Sequence, residues 1–406
     1  MIGERRAGRL GLFGALYFAQ GVPYGFVTVA LPIYLASRIE QAAISTLVAT
    51  VLLPWSVKWL AGPVIDRFTV RRFGRRRPWI LLAQAGMAAS MAALVAVDPV
   101  ATRGAFIATL LVHNVFAALQ DVAVDAWAVD VVPAGERGAA QSVMFGAKYA
   151  GIALGGAPLS WLVRHHGFGA VALVQAAMLV AVGGLVLAAR DGERGGDGGD
   201  APVFRWRELA RAFLAVGPAL GVIYAFIDRI GTNMVGSVFL PHLTDDLGHA
   251  AADAERLSAW MVLGTALGCL AGGTVSDRLG RRRTIAAATV LTAGFYAALF
   301  ALPALRTDLA ALTGFAVAMA FAEGFLITAQ TSLFMDLTSP AVGATQFTAY
   351  MSFNNVCGAW SIAAAGALAG AFDRAAVLAF AAAGQLFSLL LLRWLPGRST
   401  EGHRPG

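Results

Sequence analysis

Long runs of apolar residues, each bounded by charged or turn-forming residues, recur along the whole chain. The runs are continuous and do not alternate between apolar and polar positions, which is typical of membrane-spanning helices and not of the strands of a barrel. Each run is close to or longer than the roughly 20 residues that a helix needs to cross a bilayer. The pattern predicts an all-α integral membrane protein with twelve transmembrane helices, at residues 10–35, 43–64, 79–97, 104–131, 138–163, 168–189, 210–240, 257–275, 284–303, 309–337, 341–370 and 375–395.

The composition excludes several classes of protein. Of the 406 residues, 58% are hydrophobic and only 14% are charged. A soluble multidomain enzyme or a disordered chain carries far more polar sequence. The two cysteines, Cys269 and Cys357, lie in different apolar runs with no His or Cys at metal-binding spacing, and no nucleotide motif occurs. We therefore expect no catalytic residue, no metal and no cofactor.

The arginines are distributed unevenly between the predicted loops. Of the 31 basic residues, 29 are arginine. The loops on the side of the two termini hold 22 of them, and the loops on the opposite side hold six. Because cytoplasmic loops carry the excess of basic residues, the distribution predicts a multi-pass protein of the bacterial inner membrane with both termini in the cytoplasm. The net charge of +7 then reflects topology, and we expect no nucleic-acid partner.

The two halves of the chain repeat one another. The stretch GPVIDRFTVRRFGRRR at Gly62–Arg77 recurs as GGTVSDRLGRRR at Gly272–Arg283, with the aspartates of the two copies 211 residues apart. A polar interruption at Gln20–Gly25 in the first run has a counterpart at Ile230–Asn233 in the seventh. Repeated halves with matched interruptions at mid-membrane are typical of secondary transporters.

A hydrophilic stretch, DGERGGDGGDAPVFRWR, separates the halves and reads as a linker. The predicted organisation is an N-terminal six-helix bundle at 1–190, a cytoplasmic linker at 191–207 and a C-terminal six-helix bundle at 208–406.

Several of these strings resemble a known family. The G-x-x-x-D-R element after the second run, with its copy after the eighth, is similar to the signature loop of the major facilitator superfamily. The strings LYFAQGVPYGF, PWSVKWLAGPVIDRF and LQDVAVDAWAVDVVP resemble its peptide–acetyl-coenzyme A transporter branch, which includes muropeptide permeases and siderophore permeases. The resemblance implies two pseudo-symmetric six-helix bundles that transport a solute by alternating access.

The signature loops are predicted to act as gates. Asp66 ends the second helix, where the helix dipole opposes its charge, so nearby arginines or the N-terminus of a neighbouring helix such as the eleventh must compensate. The alternative is a basic loop that only sets topology. The resemblance supports a gating role for Asp66, Arg67, Gly74, Arg75, Asp277, Arg278, Gly280 and Arg281.

Seven ionisable residues lie well inside the apolar runs. Each would cost about 2.5–3.5 kcal/mol at the centre of a bilayer. We therefore expect them to face one another or an aqueous cavity, as candidates for substrate binding or proton coupling: Lys58, Asp121, Asp125, Lys148, Asp228, Arg229 and Glu323.

The spacing of these residues leaves alternatives open. Asp121 and Asp125 share one helix face and are predicted either to carry a coupling proton or contact substrate, or to form a structural salt bridge with a lysine. Arg229 is predicted either to clamp an oxyanion of the substrate or to pair with Glu323. Beside the first interruption, Gln20 and Tyr24 are candidate substrate contacts or partners of a kinked backbone.

The combined prediction is a secondary transporter, not an enzyme, that works as a monomer in the lipid bilayer. The resemblance to the branch implies that it imports a polar, anionic, muropeptide-like solute with protons as the coupling ion. Transport of a siderophore or of acetyl-coenzyme A is the alternative within the same fold. A membrane-embedded acyltransferase and a solute sensor without transport are the alternatives of a different class.

Overall fold

The structure is a computed structural model that describes residues 5–68, 74–189, 207, 210 and 213–395. The elements of these residues are helices joined by short connections, and no β-strand occurs among them. A helix satisfies every backbone hydrogen bond within its own segment, which is what a continuous apolar run needs in lipid. The all-helical prediction is confirmed for the described part of the chain.

Nine stretches of the described residues are long and apolar enough to cross a membrane. One of them, Ala134–Ala188, is 55 residues long and contains two spans, because Gly156 leaves helical geometry and Gly167 has a φ of 78°. Two further helical stretches, one interrupted and one continuous, complete the set of twelve.

We number the twelve spans α1 to α12 in chain order. Six of them begin at an arginine. Their bounds are α1 Arg6–Gly25 with its continuation Phe26–Ala30 and Leu31–Leu35, α2 Gln41–Val57 with Lys58–Leu60 and Ala61–Arg67, α3 Arg77–Ala93 with Leu94–Ala96, α4 Arg103–Val131, α5 Arg137–Gly155 continuing through 157–166, α6 168–188, α7 Val216–Ala225 and Ile230–Pro241 with His242–Asp246, α8 Ala251–Leu279, α9 Arg281–Ala301, α10 Leu309–Leu337, α11 Gly343–Ala371, and α12 Arg374–Phe387 with Leu389–Leu392.

The polar interruption of the first apolar run at Gln20–Gly25 does not break the α1 helix. The α-helix runs without a break to Gly25, and a π-helical turn follows at Phe26–Ala30. The glycines serve packing instead, since a Cβ at Gly21 would collide with the carbonyl oxygen of Lys148, and one at Gly25 with that of Ile152. Small residues let two membrane helices approach to backbone contact, so α1 lies directly against α5.

Two other irregularities lie at functional positions. In α2, Val57 leaves helical geometry and a 3-10 turn at Lys58–Leu60 follows, which sequence patterning did not predict. In α7 the break occurs at residues 226–229, just before the predicted interruption at Ile230–Asn233, which is itself helical. Both breaks place a charged residue, Lys58 or Arg229, at an irregular turn within the span.

The helices divide between two compact units. Unit 1 comprises Met1–Val132, Val143–Leu209 and Ser339–Thr348, and unit 2 comprises Pro133–Ser142, Ala210–Thr338 and Ala349–Gly406. Each unit therefore includes one short segment from the other half of the sequence. The predicted linker 191–207 lies outside the described residues except for Arg207, and the predicted division at that linker stays a prediction.

The close packing of α1 on α5 makes a prediction about stability. We expect Gly25→Val to lower the free energy of unfolding by about 1–3 kcal/mol, because the new side chain has no room against the α5 backbone. Gly184→Val in α6 is the matched control, since a Cβ there meets no atom within 4 Å. Thermal unfolding of the detergent-purified variants measures both, and equal melting temperatures would contradict the packing argument.

Candidate functional site

Three of the predicted intramembrane residues meet in unit 1. The Lys58 Nζ atom lies 2.6 Å from Oδ2 of Asp121, and Lys148 Nζ lies 3.8 Å from Oδ1 of the same carboxylate. Gln20 also donates a hydrogen bond to Asp121 from Nε2, at 2.9 Å. The carboxylate is buried, and its two oxygens are shared between two ammonium groups and an amide. The salt bridge that the sequence left as an alternative is therefore formed, and it uses Asp121.

Asp125, one helical turn further along α4, has a different partner. It accepts a hydrogen bond from the hydroxyl group of Tyr17 on α1. Among the described residues no lysine or arginine lies within ion-pair distance of Asp125. The two carboxylates of the pair are thus not equivalent, because Asp121 is matched by cations and Asp125 by one neutral donor.

Tyr17 is a site residue that sequence reasoning missed. It precedes Gln20 by three positions, so the two side chains share a face of α1, and this spacing could have identified it. Its ring also lies 5.6 Å from Lys148 Nζ. Tyr17 therefore donates a hydrogen bond to Asp125 and places its ring beside the ammonium group of Lys148.

An aromatic side chain on α2 completes this cluster. The ring of Trp55 lies 5.0 Å from Lys148 Nζ and 5.7 Å from Lys58 Nζ. Its Nε1 donates to Asn114 Oδ1 at 2.8 Å, which holds the indole in place. The predicted contact residue Tyr24 packs edge-on against Trp55, with ring centroids 5.9 Å apart. We call Tyr17, Gln20, Tyr24, Trp55, Lys58, Asp121, Asp125 and Lys148 the unit 1 cluster.

A second polar cluster lies in unit 2 around Asp228. Its Oδ1 accepts a hydrogen bond from Asn354 Nδ2 at 2.7 Å, while Oδ2 is buried without a hydrogen-bond partner among the described residues. Gln385 and Gln330 donate to its backbone carbonyl oxygen at 3.0 Å and 3.3 Å. These amides satisfy the carbonyl that the break in α7 releases from the helix.

Arg229 and Glu323 do not form the pair that the sequence offered as an alternative. Within the described chain, the Arg229 guanidinium makes no hydrogen bond or ion pair, and its Nε is buried. Glu323 instead accepts a hydrogen bond from Tyr296 at 2.6 Å, and the Tyr296 hydroxyl lies 3.1 Å from Thr232 Oγ1. An unpaired guanidinium in a membrane span is free to bind an oxyanion.

The signature loop of unit 1 caps a helix. Asp66 accepts hydrogen bonds from the backbone N–H groups of Ala344 at 3.2 Å and Thr345 at 2.9 Å, in the first turn of α11. Arg76 Nη1 and Arg75 Nη2 lie 2.8 Å and 3.3 Å from the same carboxylate. The loop arginines and the α11 N-terminus therefore both compensate the charge of Asp66.

Unit 2 contains the same arrangement with other residues. Asp277 accepts from the backbone N–H groups of Gly138 at 3.0 Å and Ala139 at 2.8 Å, in the first turn of α5. Arg281 lies 2.7 Å from Asp277 and, through Nε, 2.8 Å from Asp336. Arg76 bonds Asp130 in unit 1 in the same way, at 2.7 Å. Sequence reasoning missed Arg76, Asp130 and Asp336 as partners, although the two aspartates occupy corresponding ends of α4 and α10.

A glycine precedes each capping aspartate by one helical turn. A Cβ at Gly62 would collide with the backbone of Thr345, and one at Gly273 would collide with the carbonyl oxygen of Gly138. The glycine lets the two helices touch and the aspartate then reaches the exposed N–H groups. The remaining predicted gating residues are two exposed arginines at helix ends and two glycines with φ near 80–90°, namely Arg67, Arg278, Gly74 and Gly280.

The described residues form membrane helices with ion pairs inside the spans. At two helix ends an aspartate caps the first turn of another helix. This is the architecture of a solute transporter. The family model of the Major Facilitator Superfamily matches residues 13–227 and 221–406. The chain belongs to the Major Facilitator Superfamily. It is a multi-pass membrane transporter of a small-molecule solute rather than an enzyme, and the predicted fold and class are confirmed.

Relatives and solved structures agree with this family. An anhydromuropeptide permease of Escherichia coli K12 is 26% identical over 347 residues, which cover 82% of this chain and 68% of that protein. An uncharacterized protein of Haemophilus influenzae is 25% identical over 276 residues, covering 66% and 64%. The chain thus spans about two thirds of the length of these relatives.

Two sugar symporters have the same fold. The Escherichia coli fucose:proton symporter FucP superimposes with a TM-score of 0.75 at 12% identity, over 96% of this chain and 98% of that one. The proton:xylose symporter XylE gives a TM-score of 0.72 at 13% identity, over 97% of each chain.

The capping roles of Asp66 and Asp277 can be tested against each other. We expect Asp66→Ala to speed hydrogen exchange at the amides of Ala344 and Thr345 by about tenfold, because loss of a cap costs about 1 kcal/mol or more. Exchange at Gly138 and Ala139 should stay unchanged. Asp277→Ala should have the opposite pattern, so each variant is the control for the other. Equal exchange at both sites in both variants would contradict the capping roles.

Proposed function

We propose that this chain imports a polar, anionic, muropeptide-like solute together with protons by alternating access. The observation that carries this proposal is the inequality of the two carboxylates in the unit 1 cluster. Asp121 is held between Lys58 and Lys148, whereas the one partner of Asp125 among the described residues is the Tyr17 hydroxyl. A carboxyl group with a neutral donor can bind and release a proton without breaking an ion pair.

The charge balance of the cluster couples the proton to an anion. With Asp125 protonated, two ammonium groups face one carboxylate and the described side chains of the cluster carry a net charge of +1. That charge attracts an anionic group of the solute in a low-dielectric environment. When Asp125 releases its proton the net charge becomes zero and the attraction falls. Proton and anion therefore favour each other's binding, which is the reciprocal coupling that a symporter needs.

The residues of unit 2 supply further proposed contacts for the solute. Arg229 is unpaired in the described structure and can bind a carboxylate or phosphate bidentately. Asp228 and Glu323 are proposed as polar contacts or proton carriers in the same unit. The printed name of the Escherichia coli relative, anhydromuropeptide permease, supports a muropeptide as the solute class.

We also propose a role for the signature loops and an orientation. Asp66 and Asp277 hold the first turns of α11 and α5, and we propose that they release these turns when the transporter changes state. The arginine excess of 22 over six supports termini in the cytoplasm, and we place the monomeric chain in a bacterial inner membrane.

Gradient-driven uptake tests the proposed function. In proteoliposomes with the external pH one unit lower, we expect radiolabelled anhydromuropeptide to accumulate up to about tenfold, since one pH unit is worth about 1.4 kcal/mol per proton. Radiolabelled acetyl-coenzyme A and a radiolabelled ferric siderophore are tested in parallel. Accumulation of either one in place of anhydromuropeptide would reassign the solute, and no accumulation of any of the three would refute proton-coupled transport.

The role of Asp125 has a separate test. We expect Asp125→Asn to abolish accumulation above the external concentration while solute exchange across the membrane continues, because the cluster then stays in its positive, proton-loaded state. Asp253→Asn, at the start of α8 and outside the clusters, is the control and should accumulate solute normally. Undiminished accumulation by Asp125→Asn would show that another group carries the proton.

A further inference from the structure

A pocket of about 230 Å³ lies in unit 2 between α7, α8 and α10. Among the described residues of its lining, Glu323 is the one with an ionisable side chain. The remaining lining is apolar or carries a hydroxyl or aromatic group, as with Ser258, Thr265 and Phe239. Such a pocket is smaller than the roughly 300–1,000 Å³ of sites for whole drug-sized ligands, so it fits one group of a larger solute.

Glu323 lies deep within its membrane span, where an unpaired charge is costly. The residue lies at the midpoint of α10, 14 residues from each end of the helix, and therefore about 21 Å from either end. In the described part of the chain, no arginine or lysine pairs with it. Only the Tyr296 hydroxyl donates to Oε1, and no hydrogen bond to Oε2 is formed among these residues. An acidic group at this depth calls for a cation or a proton.

The position of the carboxylate is rigid. Helices α8 and α10 touch along their backbones at this level, because a Cβ at Gly268 would collide with the Phe321 carbonyl oxygen, and one at Gly324 with that of Thr265. Tyr296, which is fully buried, anchors the carboxylate from α9. A preorganised acidic group at the wall of an accessible pocket is the arrangement of a binding site rather than of a structural ion pair.

We propose that this pocket is a subsite for a primary ammonium group, with Glu323 as its counter-ion. The alkyl portion next to the ammonium packs on the apolar wall, and the pocket hydroxyls accept the remaining N–H donors. That the ammonium belongs to the transported solute rests on the proposed function, and it makes that solute one with both anionic and cationic groups.

Gly236 allows the pocket to be closed without disturbing the protein. It lies in the pocket lining, is exposed, and a Cβ at this position meets no atom within 4 Å. A leucine there would occupy the pocket and leave Glu323 unchanged. Gly314 on α10 has the same open surroundings and is not part of the pocket lining, so Gly314→Leu is the matched control.

Binding of n-butylammonium chloride to the full detergent-purified chain at pH 8 tests the site, with 1-butanol as the neutral analogue and calorimetry or thermal stabilisation as the measurement. We expect binding of the ammonium and not of the alcohol. Glu323→Gln and Gly236→Leu should each weaken it by about tenfold or more, and Gly314→Leu should leave it unchanged. Equal binding of the alcohol, or undiminished binding by both pocket variants, would overturn the proposal.

A second measurement separates the site from the proposed function. If the pocket belongs to the solute path, n-butylammonium should inhibit solute uptake by the unmodified protein and 1-butanol should not. Gly236→Leu should itself lower that uptake, and Gly314→Leu should leave it unchanged. Binding without inhibition would overturn the assignment to the solute while the ammonium site stands. If the unmodified protein binds n-butylammonium but shows no proton-driven uptake of solute, only the proposed function is refuted.

Discussion

The pairing of Lys58 and Lys148 with Asp121 is the interaction on which the unit 1 cluster depends. A charge inside a membrane span is tolerated only where the protein supplies its partner, since lipid supplies none. Three helices must therefore meet at one depth: α2 and α5 bring the cations and α4 brings the carboxylate. The glycines of α1 and α5 remove the side chains that would keep Gln20 and Tyr17 from reaching the same point. Helix packing and electrostatics thus specify a single geometry.

The ends of the helices obey a second rule, which both units repeat. A glycine makes room for the first turn of another helix, and an aspartate one turn later accepts its free N–H groups. An arginine then joins that aspartate to a second one, Asp130 or Asp336. The helix dipole of α11 or α5 favours the negative charge that the end of α2 or α8 disfavours. This compensation explains why the signature combines glycine, aspartate and arginines in one short stretch.

The two units differ in how they treat their acidic groups. In unit 1 the carboxylates lie beside lysines or a tyrosine. Proton binding there changes the net charge of the unit 1 cluster. In unit 2 neither Arg229 nor Glu323 forms an ion pair with another described residue, and the two groups carry charges of opposite sign. A solute with both kinds of charge would satisfy both groups, which is consistent with the combination of an oxyanion clamp and an ammonium subsite proposed above. The family and fold are independent of these roles, because one fold serves many solutes.

The sequence by itself determined the number, position and class of the spans. The length and apolarity of a run are local properties, so α10 has the predicted bounds and α4 begins one residue earlier than predicted. The paired aspartates of α4 could also be recognised from the sequence, since a spacing of four residues in a helix defines a face. The signature loops could be recognised because the same string occurs twice. The sequence offered the α11 N-terminus for Asp66 and a lysine for the paired aspartates, and both contacts are formed. Other partners were not foreseen. Tyr17 for Asp125, Ala139 for Asp277 and Tyr296 for Glu323 come from distant segments, and only tertiary packing brings them together. Only the tertiary structure shows why Gln20–Gly25 is helical. The glycines of this stretch let α1 contact the α5 backbone, so they serve helix packing and not a break in the helix.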